Sequence, residues 1–184
     1  MTLHKEHIIS YIVTVFAVTL FLGCKNNFKE VQQIGVLQNA PVGEAYNIDL
    51  KYTDSARVIA NLISPKMLDY SNRSFGFSEF PEGIELTIFD DDNNESKIFS
   101  DYAIYYGQTN LIDLRGNVIL ATHQKDTLFT DQMYYDEKKE WVFTNHRFRL
   151  KSPDRDIKGR GFDSDKDFKE YSMLEWGGDF DMDN

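Results

Sequence analysis

The chain has few of the residues and motifs that mark catalytic, metal-binding or phosphate-binding sites. Its 184 residues include one cysteine, Cys24, so no internal disulfide can form. Beyond the N-terminal segment it has two histidines, His123 and His146, and it contains neither a His-x-x-x-His nor a Cys-x-x-Cys pair, the spacings typical of zinc sites. A Gly-rich phosphate-binding loop is also missing. We therefore predict that the chain is not an enzyme and has no cofactor and no metal site.

Positive charge is scarce as well. Twenty Lys and Arg residues stand against thirty Asp and Glu, a net charge of −10, which disfavours nucleic acid and a bare anionic bilayer as partners. The densest acidic stretch, residues 90–95 (DDDNNE), has Glu95 where a helix-flanked calcium loop requires glycine, so it is predicted to be a solvated hairpin turn. Paired carboxylates are expected by chance among so many acids and do not indicate glycosidase chemistry.

The one long apolar run is short for a membrane span. Residues 8–22 (IISYIVTVFAVTLFL) contain fifteen uncharged residues, whereas a spanning helix needs about 20. A secretory signal peptide has a basic start, an apolar stretch of this length and a small residue before the cleavage site, here Gly23. The sequence FLGC resembles a bacterial lipobox, with Phe21 in place of the usual leucine. We predict a signal peptide at 1–23 and lipidation of Cys24, with an uncleaved N-terminal anchor as the alternative.

The remainder has the pattern of an all-β domain. Aromatic residues make up 14% of the chain, which favours strands, and no amphipathic helix of ten or more residues is evident. We predict a tether and lead-in at 24–43, a β domain at 44–175 and a disordered acidic tail at 176–184. The predicted strands are 46–52, 57–63, 84–89, 97–106, 111–115, 117–122, 127–135, 141–144, 147–151 and 156–162. The predicted turns include 64–65, 81–83, 90–94, 136–139 and 152–154.

An internal repeat indicates how the strands are organised. A shift of thirty residues aligns 98–120 with 128–150 without gaps and keeps strand, turn and strand in phase. The identical pairs are Phe99 with Phe129, Asp101 with Asp131, Tyr105 with Tyr135 and Leu120 with Leu150. Such units bury their apolar faces by stacking, so we predict an antiparallel β-jelly roll or flattened open barrel with an exposed strand at each end.

These elements, taken in order, resemble a known family. The run from GNVIL to GFDSD (residues 116–165), with the earlier FPEGIELTIFDDD and FSDYAIYY, is similar to the LptC family of periplasmic lipopolysaccharide-export proteins with an OstA/LptA-like jelly roll. The wider superfamily shares the G-x-V and T-D elements, so the order of the elements, the membrane tether and the closing G-x-G-F carry the match, in the lipoprotein form of Bacteroidetes-like bacteria. Better-known members keep an uncleaved transmembrane helix, where this chain has the lipobox-like Cys24.

The resemblance implies a role and partners. It implies a lipid-anchored protein on the periplasmic face of the inner membrane, with the outer membrane as an alternative. There it would bind acyl chains of lipopolysaccharide in an apolar groove. It would receive lipopolysaccharide from an inner-membrane ABC exporter, which supplies the energy, and pass it through edge strands to a periplasmic bridge protein of similar fold.

Strand parity gives the candidate groove residues. Side chains that alternate onto one face of the repeat are Ile98, Ala103, Tyr105, Ile112, Leu114, Val118, Leu120, Leu128, Met133, Tyr135, Val142, Phe148 and Leu150. The alternative is that they fill a packed core. A β-bulge near Asp101 or Asp131 would shift the parity and move some of them outside.

Two rival functions remain open at this stage. One is a surface lipoprotein with a carbohydrate-binding or carbohydrate-cleaving jelly roll, which requires converging polar groups beside exposed aromatic rings. The other is a structural link whose interior is too tightly packed for an acyl chain. The matched aliphatic positions of the repeat favour lipid.

Overall fold

The computed structural model describes residues 40–180, and within this range it contains eleven β-strands and no helix. The strands are β1 (Gly43–Asp54), β2 (Arg57–Asp69), β3 (Ser78–Phe80), β4 (Ile84–Phe89), β5 (Glu95–Ser100), β6 (Tyr102–Tyr106), β7 (Leu111–Ala121), β8 (Thr127–Asp136), β9 (Trp141–Lys151), β10 (Arg155–Asp165) and β11 (Tyr171–Phe180). All pairings between them are antiparallel, which confirms the predicted all-β jelly-roll class.

The sheet divides in the middle and encloses one core. Between β2 and β7 it follows two routes, one through β4 and β5 and the other through β3 and β6. From β7 onward the order is β8, β9, β10 and β11. Among the described strands, β1 pairs only with β2 and β11 only with β10, so these two have open edges, as predicted for the ends of the stack.

The sequence repeat corresponds to a repeated pairing pattern. Ile98 lies opposite Leu120, and Leu128 lies opposite Leu150. The interpretation of the repeat as one supersecondary unit used twice is confirmed. The copies differ at their centre, because β5 and β6 are separate strands that flank Asp101, whereas β8 runs continuously past Asp131.

A β-bulge lies in β7, opposite Asp131. Gly116 and Asn117 adopt positive φ angles of 74° and 44°, and together they face the single residue Asp131 in the pairing of β7 with β8. The backbone N–H of Asp101 donates to the Gly116 carbonyl at 3.0 Å, and the Asn117 amide donates to the Asp101 carboxylate at 2.6 Å. The inward parity changes from even to odd residue numbers at Asp101 and at Asp131, and the predicted groove residues follow this change.

The predicted turn at residues 64–65 is wrong, because β2 continues through it to Asp69. Pro65 has no backbone N–H to donate, which normally interrupts a strand. Here Asn47 of β1 adopts a φ of 52°, and the pairing passes from Tyr46 and Lys66 to Ile48 and Ser64 without using Pro65. The local irregularity of β1 therefore accommodates the proline.

Two strands, β3 and β11, were not predicted. The predicted disordered tail at 176–184 is wrong up to Phe180, since β11 pairs with β10 over this stretch and places Phe180 opposite Arg155. Backbone hydrogen bonds to β10 order residues whose acidic composition alone suggested disorder. Residues 181–184, the predicted signal peptide, Cys24 and most of the predicted tether lie outside the described residues. Within residues 40–180 no helix is long and apolar enough to cross a membrane.

Candidate functional site

The predicted groove residues lie together inside the jelly roll. Twelve of the thirteen are buried, with at most 5% of any side chain exposed, and Tyr105 is partly buried against the same cluster. The buried members are Ile98, Ala103, Ile112, Leu114, Val118, Leu120, Leu128, Met133, Tyr135, Val142, Phe148 and Leu150. Parity therefore predicted their inward direction correctly, and in this conformation most of them contact one another rather than an open groove.

An open cavity reaches this interior at one end of the roll. It has a volume of about 500 Å³ and lies among the turns that connect β1 to β2, β4 to β5, β8 to β9 and β10 to β11. Its apolar floor consists of Leu62, Leu86, Ile88 and Ile112. The volume falls within the range of about 300–1,000 Å³ typical of small-molecule sites. We refer to this space as the mouth.

Three tyrosines line the mouth together with seven Asp and Glu residues. The Tyr105 hydroxyl donates to the Glu137 carboxylate at 3.2 Å. Burial, and then the negative charge of Glu137, raise the pKa of Tyr105 to about 12. The pKa of Tyr52 is raised by the same two causes, and burial, followed by the charge of Glu140, raises that of Tyr135. These phenols stay protonated at neutral pH and act as neutral hydrogen-bond donors next to the apolar floor.

The three cations at the rim of the mouth form ion pairs. Arg57 contacts Asp91 at 2.6 Å. Lys166 contacts Asp167 at 3.4 Å and Glu140 at 3.7 Å, and both members of the Lys166 and Asp167 pair are buried. Lys169 contacts Asp167 at 3.2 Å. Because no rim cation is left over for a bound anion, the mouth offers apolar contact and phenolic donors rather than an anion site.

Asp90 stabilises the turn at residues 90–94. Its carboxylate accepts the backbone N–H groups of Asp92 and Asn94 at 2.9 and 2.8 Å, and the Asn94 amide at 2.9 Å. The Asn94 hydrogen bonds lower the pKa of Asp90. The acidic stretch is therefore a hairpin turn, as predicted. No group of three or more potential metal ligands occurs among the described residues.

Sequence reasoning predicted only Ile112 of the four residues in the floor of the mouth. Leu62, Leu86 and Ile88 lie in β2 and β4, outside the repeat from which the candidates were chosen, although the alternation in these strands was a usable signal. Phe168 is buried from a turn with a φ of 58°, and no periodic pattern in the sequence indicates its position. The two histidines lie apart, with His123 after β7 and His146 in β9, so they do not form a joint site.

Comparison with known proteins identifies the family of the chain. The model of the family described as "Lipopolysaccharide-assembly, LptC-related" matches residues 11–175, which is most of the chain and includes β1 to β10. No curated protein matches the chain. Family membership implies involvement in lipopolysaccharide export and association with the periplasm and the inner membrane. The chain belongs to the LptC-related family of lipopolysaccharide-assembly proteins.

Proposed function

We propose that this protein binds acyl chains of lipopolysaccharide in its apolar interior and passes them onward during export. The observation that carries the proposal is the mouth, an open cavity of about 500 Å³ that leads to a continuous cluster of buried aliphatic side chains in a member of a lipopolysaccharide-assembly family. Membership supports the role in export, and the cavity supports the acyl chain as the part of the lipid that is bound.

The free-energy cost of exposing an acyl chain to water, which such a protein must offset, is large. Each methylene exposed to water costs about 0.8 kcal/mol, so a chain of twelve carbons costs on the order of 10 kcal/mol. Leu62, Leu86, Ile88 and Ile112 offer an apolar surface that removes part of this cost as soon as a chain enters the mouth. Since the side chains beyond them are closely packed, further insertion requires the two halves of the sheet to separate.

The sheet halves have a place at which they separate most easily. Between β2 and β7 they follow separate strands, joined on one side through β4 and β5 and on the other through β3 and β6. The pairings of β3 involve only two residues of β2 and three of β6. Few backbone hydrogen bonds therefore oppose movement on this side, and we propose that acyl chains pass the mouth and then open this half of the roll.

Transfer between proteins follows from the open edges. Within residues 40–180, β1 and β11 each have one side without a partner strand, and each can add a strand of a partner, which joins two such sheets into one continuous surface. We propose that one edge faces the inner-membrane ABC exporter and the other a periplasmic bridge protein of similar fold. Lipidation at Cys24 would hold the chain at the periplasmic face of the inner membrane, and the exporter would supply the energy.

Photocrosslinking in living cells tests this function. A photoreactive amino acid is placed at Ile112 in the mouth, or at Val118 or Phe148 deeper inside, and adducts are detected with an antibody against lipopolysaccharide. We expect adducts that require ATP and vanish when the exporter is depleted. The control is Glu82, an exposed residue in the turn between β3 and β4 that does not line the mouth, and it should give none. Absence of adducts at all three inner positions would favour a structural link or a sugar-directed lipoprotein.

A further inference from the structure

The outer surface of β9 and β10 carries a cluster of cations that the net charge of −10 conceals. Five exposed side chains on these two neighbouring strands form it, and we call them the basic face: Arg147, Arg149, Lys151, Lys158 and Arg160. They represent a quarter of the twenty Lys and Arg residues of the whole chain. A local cationic surface on an acidic protein points to an anionic partner.

The register places like charges directly opposite one another. Lys158 lies opposite Arg149, and Arg160 lies opposite Arg147. Directly opposed like charges destabilise an antiparallel pair. Within the part of the chain that the structure describes, only Arg149 of the five forms an ion pair, with Asp156, where its Nε donates at 2.8 Å. The stability of the fold does not explain this arrangement, since an acidic residue at one position of each pair would replace repulsion by attraction.

Nearby carboxylates do not cancel the cluster. Asp156 is paired with Arg149, Glu175 of β11 lies opposite Arg160, and Asp131 lines the same surface hollow as Arg147. Asp179 of β11 lies opposite Asp156. Five cations against these four acids leave an excess of one positive charge. The excess faces solvent on a chain that is otherwise strongly acidic.

An apolar row continues from the basic face across the same outer surface. Phe99, Ile119 and Phe129 lie directly opposite one another in β5, β7 and β8, and the next residue in the row is Arg149. Phe129 is 37% exposed. A shallow depression of about 320 Å³ is lined by Ile119, Phe129 and Arg147 together. Cations beside half-exposed apolar side chains match the chemistry of an anionic bilayer surface, with charged headgroups above acyl chains.

We propose that the basic face and its apolar row dock on a bilayer that contains anionic phospholipid. Each Lys or Arg near such a surface strengthens binding by about fivefold, so an excess of one gives about fivefold. This rests in one respect on the proposed function, in which Cys24 is anchored sixteen residues before Ala40. A tether of that length reaches at most about 55 Å, which keeps the face near the membrane and makes weak docking effective.

The test measures contact of the face itself. In the full chain with Cys24→Ser, a fluorophore is attached at Thr127→Cys, which lies opposite Lys151 on the same surface. The protein is mixed with vesicles of phosphatidylcholine alone or with 30% phosphatidylglycerol, both carrying a headgroup-linked quencher. We expect quenching to be about fivefold stronger, at equal lipid, with the anionic vesicles, and this difference to disappear at high salt.

Charge reversal separates docking from folding. Arg147→Glu with Lys158→Glu replaces both like-charge pairs by opposite-charge pairs, so the variant should melt no lower than the parent and yet lose the anionic-specific quenching. The control reverses the same total charge at exposed Lys51 and Lys138, away from the basic face, and should keep it. Equal quenching in both lipids, or quenching unchanged by the double reversal, would overturn the proposal. Binding only to an acidic protein would also overturn it. None of these results bears on acyl-chain adducts from Ile112, so failure of docking and failure of the proposed function are distinguishable.

Discussion

Substitution Ile112→Trp tests whether the mouth is the route of the acyl chain. Ile112 borders the cavity of about 500 Å³, so the larger ring can extend into open space, and we expect the free energy of unfolding to change by less than about 1 kcal/mol. If the indole displaces three methylenes of a bound chain at about 0.8 kcal/mol each, binding weakens by about 2.4 kcal/mol, roughly fiftyfold. The assay is equilibrium titration of the purified full chain with a fluorescent twelve-carbon lipid, beside urea denaturation.

Leu114→Trp is the matched control for this experiment. Leu114 is fully buried two residues along the same strand and does not line the cavity, so the added ring overpacks the core and should cost about 1–3 kcal/mol. If Ile112→Trp destabilises the protein as much as Leu114→Trp does, the cavity is not available space. If Ile112→Trp folds normally and binds the lipid with parental affinity, the acyl chain does not use the mouth.

Two further predictions concern stability. Gly159→Ala places a methyl group against a backbone carbonyl of β11 and the ring of Phe148, so urea denaturation should show that the free energy of unfolding falls by about 1–3 kcal/mol. The control is Gly177→Ala, which has nothing within 4 Å and should change the free energy of unfolding by less than about 0.5 kcal/mol. Equal effects of the two substitutions would contradict the close packing at Gly159. Because its hydrogen bonds from Arg149 lower the pKa of Asp156, this carboxylate stabilises the fold above its unfolded pKa of about 3.9, and the contribution disappears as the pH falls through the folded value. Asp156→Asn should therefore lower the melting temperature at pH 7 and have no effect near pH 2; a pH-independent difference would refute the ion-pair explanation.

The inward-facing residues were predictable because alternation in a strand is local. Ile98, Leu120, Leu128 and Leu150 could be placed on one face from the repeat alone, and the structure pairs them as the repeat requires. The prediction depended on the phase of the alternation, since a single extra residue turns every later side chain of the strand to the opposite face. The repeat preserved it, because both copies carry an aspartate, Asp101 or Asp131, where the parity changes.

The remaining features depend on contacts between residues far apart in the chain. Pro65 suggests a turn in the sequence, and only the structure shows that the irregular backbone of Asn47 in the neighbouring strand accommodates it. Residues 176–180 likewise have the composition of a polar tail, but β10 supplies the partners for their backbone hydrogen bonds. The mouth likewise requires β2, β4 and the turn after β8 to meet at one end of the roll.

Local composition and period-2 alternation thus specified an all-β chain, its repeated unit and the face that turns inward, because these properties depend on each strand alone. Cross-strand register, the closure of the two sheet halves over one core, the open mouth and the opposition of Lys158 to Arg149 arose only from folding. They depend on which strands become neighbours. Strands pair through backbone hydrogen bonds, which are the same for nearly every residue type, so the sequence contains no pattern that identifies the partner strand.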